Sequence, residues 1–110
     1  MNQAKVAFLI LSDDPNRVIP GLIMAARMKE GRGSDVRVLF FGPGIKLAAD
    51  GRIDQQIEDL AKLEISVAAC SNLAISYGVE TSLQERPVEL LSAGAEVEKF
   101  AIEGFTVLSF

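Results

Sequence analysis

Residues 6–11, Val-Ala-Phe-Leu-Ile-Leu, are apolar without a break. A strand reads this way when its sheet is covered on both faces, so the run predicts a central strand. Asp13, Asp14 or Asn16 can cap a following helix, and Pro15 suits its first turn. Leu22, Ile23 and Ala26 then carry an apolar stretch to Gly31, interrupted by Pro20-Gly21. A proline inside a helix removes one backbone donor and clashes with the preceding turn. The pattern therefore predicts either a kink at Pro20 or a helix that begins near Ile19.

Val36-Arg37-Val38-Leu39-Phe40-Phe41 predicts a second strand, with one of the two phenylalanine rings buried on each side of the sheet. It stops at Gly42-Pro43-Gly44, a turn that cannot continue a ladder. A short helix through 47–49 follows. Ile53, Ile57, Leu60 and Ala61 recur at helical spacing, with Asp54, Gln55, Glu58 and Asp59 on the other side, which predicts an amphipathic helix packed on the sheet. Residues 65–70 predict a third strand. Ser71 or Asn72 can cap the next helix, which runs through Leu73, Ala74 and Ile75 and ends near Gly78. Proline disfavours helix at the residue before it, so Arg86-Pro87 starts none, and residues 88–91 read as a short parallel strand with Ser92 near its carboxyl end. Val97, Phe100 and Ala101 form a last helical stripe closed by Gly104, and 105–110 complete a fifth strand.

The alternation of five strands with helices argues for an α/β domain whose mainly parallel sheet is sandwiched between helices and joined by right-handed crossovers. No linker-like stretch, internal repeat or low-complexity segment divides the chain, and its 110 residues read as one domain, 1–110. The alternation does not specify strand order. Folds of this class bind ligands outside the carboxyl ends of their strands. Here those ends carry Ser12-Asp13-Asp14, Gly42-Pro43-Gly44, Cys70-Ser71-Asn72 and Ser92-Ala93-Gly94.

Charge narrows the field of partners. The net charge is −4 and the eleven Lys and Arg residues are scattered, so no basic cluster is available to a phosphate backbone, and nucleic acid is excluded as an expected partner. The apolar run 6–11 is too short to cross a bilayer and lacks the small residues of a signal-peptide cleavage site, which predicts a cytoplasmic protein with no membrane partner. With no His in the chain, imidazole chemistry is absent. A single cysteine cannot form an internal disulfide, and a reducing compartment would keep it as a thiol.

Three features are candidates for chemistry. Asp13-Asp14 is similar to the acidic pair of response-regulator receiver domains, but the third strand ends in Cys70 where a receiver needs its aspartate. Helix capping is the simpler role for these carboxylates. Gly42-Pro43-Gly44 could offer backbone amides to an anion, yet it has neither the lysine of a P-loop nor the third glycine of a dinucleotide fingerprint, which favours a tight turn. Cys70 can be a small apolar filler of the core. Its predicted place between a strand and a helix, however, is where amides and the positive end of a helix dipole stabilise a thiolate, the nucleophilic form of sulfur.

On these segments the chain resembles the DsrE/DsrF-like family of small sulfur-relay proteins, which includes YchN-like and TusD-like members. The resemblance rests on residues 6–11 with Asp14-Pro15, on Ala25-Ala26 to Gly31, and on 36–42. It continues through Val67-Ala68-Ala69-Cys70-Ser71-Asn72-Leu73 and the closing run Gly104 to Phe110. It implies a three-layer α/β/α sandwich with a mainly parallel five-stranded sheet, assembled as a homotrimer or a homohexamer, with Cys70 as the residue that carries a persulfide, at least partly accessible at the carboxyl end of the third strand. The 49% apolar content of so small a domain points the same way on assembly. Ser71, Asn72, Gly42, Pro43, Gly44, Ser12 and Asp13 are the residues expected around the sulfur. No metal or organic cofactor is expected; sulfur donor and acceptor proteins are. Two other readings stay open: a non-enzymatic binding or assembly module with a structural cysteine, and a small anion or nucleotide binder using the Gly42–Gly44 turn.

Overall fold

A computed structural model of the chain describes residues 3–110. Its elements run β1 (Lys5–Ile10), α1 (Pro15–Arg32), β2 (Asp35–Phe40), α2 (Gly44–Ala49), α3 (Asp54–Lys62) and β3 (Ser66–Cys70). They continue with α4 (Ser71–Ser76), α5 (Glu80–Gln84), β4 (Glu89–Leu91), α6 (Ala93–Ile102) and β5 (Thr106–Ser109). The five strands form one sheet in the order β4-β3-β2-β1-β5, and every pairing is parallel. The short strand expected at 88–91 is present, with Leu90 beside Ala69 and Leu91 beside Cys70.

This order divides the helices unequally. The first three connections step in one direction across the sheet, and the last jumps back past β1. Right-handed crossovers then put α1 to α5 on one face and α6 alone on the other. Side-chain positions agree with that assignment. Phe8 stacks on Phe110 with ring centroids 5.6 Å apart, and the Phe110 ring lies against Gly21 of α1. Leu9 and Leu39, at the alternate positions, line a cavity with Ala93, Gly94 and Val97 of α6. The result is a three-layer α/β/α sandwich with one thick and one thin outer layer.

α1 starts at Pro15 and runs through Pro20 to Arg32, which removes the reading that it begins near Ile19. Asp14 caps it by accepting from the Asn16 N–H at 2.9 Å, and Gly33, at φ 66°, closes it with its N–H on the Lys29 carbonyl. Pro20 is exposed, so the lost hydrogen bond falls on the solvent side, while Val18, Leu22 and Ala25 bury the opposite stripe. Gly21 is required for packing: a Cβ there would stand 2.9 Å from the Phe110 ring.

Two further expectations are corrected. The two rings lie on opposite sides of the sheet, but only Phe40 is buried; Phe41 falls just past the end of β2 and is exposed. α5 was not expected; Leu83 anchors it in the core, and Arg86 fastens it by donating to the Ser82 carbonyl at 2.7 Å and to Asp54 of α3 at 2.6 Å. Among the described residues, no helix is long and apolar enough to cross a membrane.

Candidate functional site

Cys70 is both the last residue of β3 and the N-cap of α4. The apolar run Val67-Ala68-Ala69 holds it in a buried strand between β2 and β4. Its backbone, at φ −66° and ψ 116°, is extended, as an N-cap requires. Ser71 and Asn72, expected as alternative caps, are instead the first two residues of α4. The reason is that the strand runs straight into the helix with no connecting residue, leaving Cys70 the only cap position. The Cys70 sulfur makes no capping hydrogen bond with the first turn of α4, and among the described residues no other side chain accepts from its amides. The side chain is only 7% exposed, against the expectation of an accessible thiol.

The other expected residues lie at the same carboxyl end of the sheet but are occupied locally. Gly42 takes φ 60°, Pro43 is the cap position of α2, and Gly44 is its buried first residue. The Gly44 N–H donates to the Leu11 carbonyl at 3.0 Å, and the Ile45 and Lys46 N–H groups donate to Gly42 and Pro43. A Cβ on Gly44 would collide with the Ile10 carbonyl oxygen. The segment is therefore a tight turn jammed against the end of β1 rather than an open cradle for an anion. Ser12 accepts from the Asp14 N–H at 3.0 Å, and its own N–H donates to the Phe110 carbonyl.

Asp13 is exposed and makes no ion pair with Arg52, which is held by Asp50. Asp50 accepts from the Arg52 guanidinium at 2.9 Å, which holds the Asp50 carboxyl below the ordinary carboxylate value and raises Arg52. Asp13 and Asp14 add to that rise through their negative charges. Among the described residues, no three His, Cys, Asp or Glu side chains gather as a metal site.

Strand order determines which residues surround the thiol. The crevice beside β1, where the order reverses and such folds usually bind ligands, is closed by β5: Leu11 and Ser12 both donate to the Phe110 carbonyl, at 2.7 and 3.1 Å. Cys70 lies two strands away. Parallel partners share a face, so Cys70 points to the thin, α6 side of the sheet with Ala68, Leu39 and Leu91. That side holds a cavity of about 340 Å3 walled by Leu9, Leu39, Phe41, Ala93, Gly94 and Val97. In sequence these residues read only as parts of strands (Leu9, Leu39, Phe41), a helical stripe (Val97) or a strand-following turn (Ala93, Gly94). They come from three distant segments, and no spacing along the chain links them.

No protein-family model matches the chain, and no curated protein does. Solved structures do. A conserved protein of unknown function from Bacteroides thetaiotaomicron superposes with a TM-score of 0.88 at 19% identity, over 96% of this chain and 94% of its own. A protein of unknown function from Methanobacterium thermoautotrophicum gives 0.84 at 20% identity, over 98% of this chain and 100% of its own. The ychN protein of E. coli gives 0.73 at 15% identity, over 96% of this chain and 99% of its own. The chain thus shares the fold of the ychN protein.

Proposed function

We propose that the protein is a small sulfur carrier, sulfurtransferase-like in its chemistry, in which Cys70 accepts a sulfane sulfur as a persulfide and relays it to an acceptor thiol. One observation carries this reading: the only cysteine of the chain stands at a strand-to-helix junction at the carboxyl end of the sheet, with the first-turn amides of α4 uncapped by any side chain. The Cys70 thiolate attacks the terminal sulfur of a donor persulfide. A new S–S bond forms on Cys70, the donor S–S bond breaks, and its electron pair leaves on the donor thiolate. Attack by an acceptor thiolate on the outer sulfur of Cys70 persulfide reverses the sequence, with no external oxidant, metal or organic cofactor. Ser71 and Asn72 supply the nearest backbone amides, and a reducing cytoplasmic setting keeps the thiol available.

The companion proposal is assembly as a homotrimer or homohexamer, supported by exposed apolar side chains that include Ile102 at 85% exposure, Val97 and Val107. Light scattering at micromolar concentration is expected to return a multiple of the 11.8 kDa chain mass; a monomer overturns it.

Incubation with a persulfide donor followed by mass spectrometry is expected to add one sulfur atom to the wild type and none to Cys70→Ser. Equal loading of the two removes the carrier reading. A second reading, a non-enzymatic binding or assembly module with a structural cysteine, is favoured by one observation, the 7% exposure of Cys70. Treating the folded chain with a small electrophile separates them: a carrier thiol reacts, and a structural cysteine reacts only after unfolding.

A further inference from the structure

We propose that β5 is an assembly edge: it pairs antiparallel with β5 of a second copy of the chain, across a two-fold axis at Leu108, and joins the two sheets into one. The proposal rests on the reading that the chain assembles and adds to it the surface and the symmetry. A homotrimer alone has no two-fold axis, so this contact selects the hexamer over the trimer.

The two edges of the sheet differ. β4 has three residues, presents the exposed charge of Glu89 and closely follows Pro87, features that keep an edge from pairing with another chain. β5 has none of them. Thr106-Val107-Leu108-Ser109 carries no charge and no proline, and all four residues are exposed.

The free backbone groups of β5 give the register. The Phe110 N–H donates to the Leu9 carbonyl at 2.9 Å and its carbonyl accepts from Leu11 at 2.7 Å, so Phe110 faces β1. Backbone groups alternate between the two sides of a strand, so Thr106 and Leu108 face β1 as well. Val107 and Ser109 face outward, where no described residue takes up their N–H and carbonyl groups. An antiparallel copy with Val107 of each chain opposite Ser109 of the other satisfies all of these groups. A register with Val107 opposite itself needs the Phe105 N–H, which already donates to the Phe100 carbonyl at 2.9 Å.

Side chains widen the contact. A stable interface takes about 800 Å2 from each partner, more than one short strand supplies. In the two-fold register each layer continues into the same layer of the other copy. On the thick side Leu108 meets its own counterpart; α1 follows this edge, since Gly21 lies against the Phe110 ring, and one turn on it exposes Met24. On the thin side Val107 is exposed, and so is Ile102, where α6 leads into β5. Apolar groups thus flank the new ladder on both faces.

The test uses the whole chain. Light scattering on the wild type is expected to return an even multiple of the 11.8 kDa chain mass, and Val107→Pro half of the wild-type value. That proline removes an outward donor and spares the β1 ladder, and circular dichroism checks the fold. An odd-numbered wild type, or a mass unmoved by Val107→Pro in a folded chain, overturns the proposal. Cross-linking decides the register even where Val107→Pro does not fold. Leu108→Cys sets two thiols with Cα atoms about 4.5 Å apart, within disulfide reach, whereas Val107→Cys leaves them more than about 7 Å apart. Under mild oxidation Leu108→Cys is expected to give at least about tenfold more covalent dimer than Val107→Cys, with the linked peptide identified by mass. Equal yields overturn the pairing. A wild-type trimer removes the β5 contact and leaves the assembly reading; a monomer removes both.

Discussion

Phe40 and Phe41 are adjacent in sequence and face opposite layers of the molecule. Phe40 points with Phe8, Ile10 and Val38 into the side covered by five helices, and it is fully buried. Phe41 points to the side that α6 covers alone, and it is 40% exposed beside an open apolar cavity. The thick layer is a close-packed core in which space is already used, as the approach of Gly44 to Ile10 and of Gly21 to Phe110 makes plain. The thin layer leaves apolar surface uncovered, and Cys70 belongs to it. A parallel sheet needs both faces covered. Where one face is only partly covered, there is room for a ligand, a subunit or both.

The largest test of this contrast is the phenylalanine pair. Phe40→Ala is expected to cost about 3–5 kcal/mol in chemical denaturation, from lost burial and a residual cavity. Phe41→Ala is expected to cost less than about 1 kcal/mol, since a half-exposed ring forfeits far less burial. Similar losses for the two would mean that the thin side is as tightly packed as the thick one.

Next in size is Gly44→Ala. The added Cβ meets a backbone oxygen, which cannot rotate away as a side chain can, so a loss of about 2–3 kcal/mol is expected in the same measurement. A neutral outcome would show that α2 can withdraw from β1.

Arg86→Ala probes the edge of the thick layer. It removes the donors to Asp54 and to the Ser82 carbonyl, and a loss of about 1–2 kcal/mol is expected, concentrated in hydrogen exchange at α5 and β4. Cys70→Ser is expected to leave stability within about 1 kcal/mol. A serine hydroxyl is costly to bury but is a better helix cap than the thiol it replaces, and the two effects oppose each other. Collapse of the fold on that substitution would make Cys70 a structural residue.

The smallest effect concerns acid. The Arg52 guanidinium depresses the Asp50 carboxyl in the folded state, so the unfolded chain binds this proton first as pH falls. The stabilisation is present above the ordinary value of 3.8 and is lost as pH drops below it through the folded value. Thermal melts of wild type and Asp50→Asn are expected to differ slightly at neutral pH and to converge in acid. Both partners are exposed, which keeps the difference small.

Several elements were legible because their signals are local. The unbroken apolar run at 6–11 named a central strand, the run at 36–41 named a second strand, the Ile53, Ile57 and Leu60 spacing named α3, and Arg86-Pro87 correctly marked a place where no helix starts. Pro20 left two readings open because its cost depends on which side of the helix it faces, and that side is set by packing, with Gly21 against Phe110. α5 was missed because its one buried anchor, Leu83, gives too short a pattern to read.

The sequence by itself determined the α/β alternation, the single thiol and its place at the end of β3, since each depends on residue type and short-range periodicity. Only the tertiary structure decided the strand order β4-β3-β2-β1-β5, and with it that Cys70 faces the thin layer, that β5 fills the crevice beside β1, and that Leu9, Leu39, Phe41 and Val97 share one cavity. The physical reason is that side-chain alternation along a strand assigns residues to two faces, but which face is crowded is fixed by the direction of each crossover. That direction is a property of the assembled sheet.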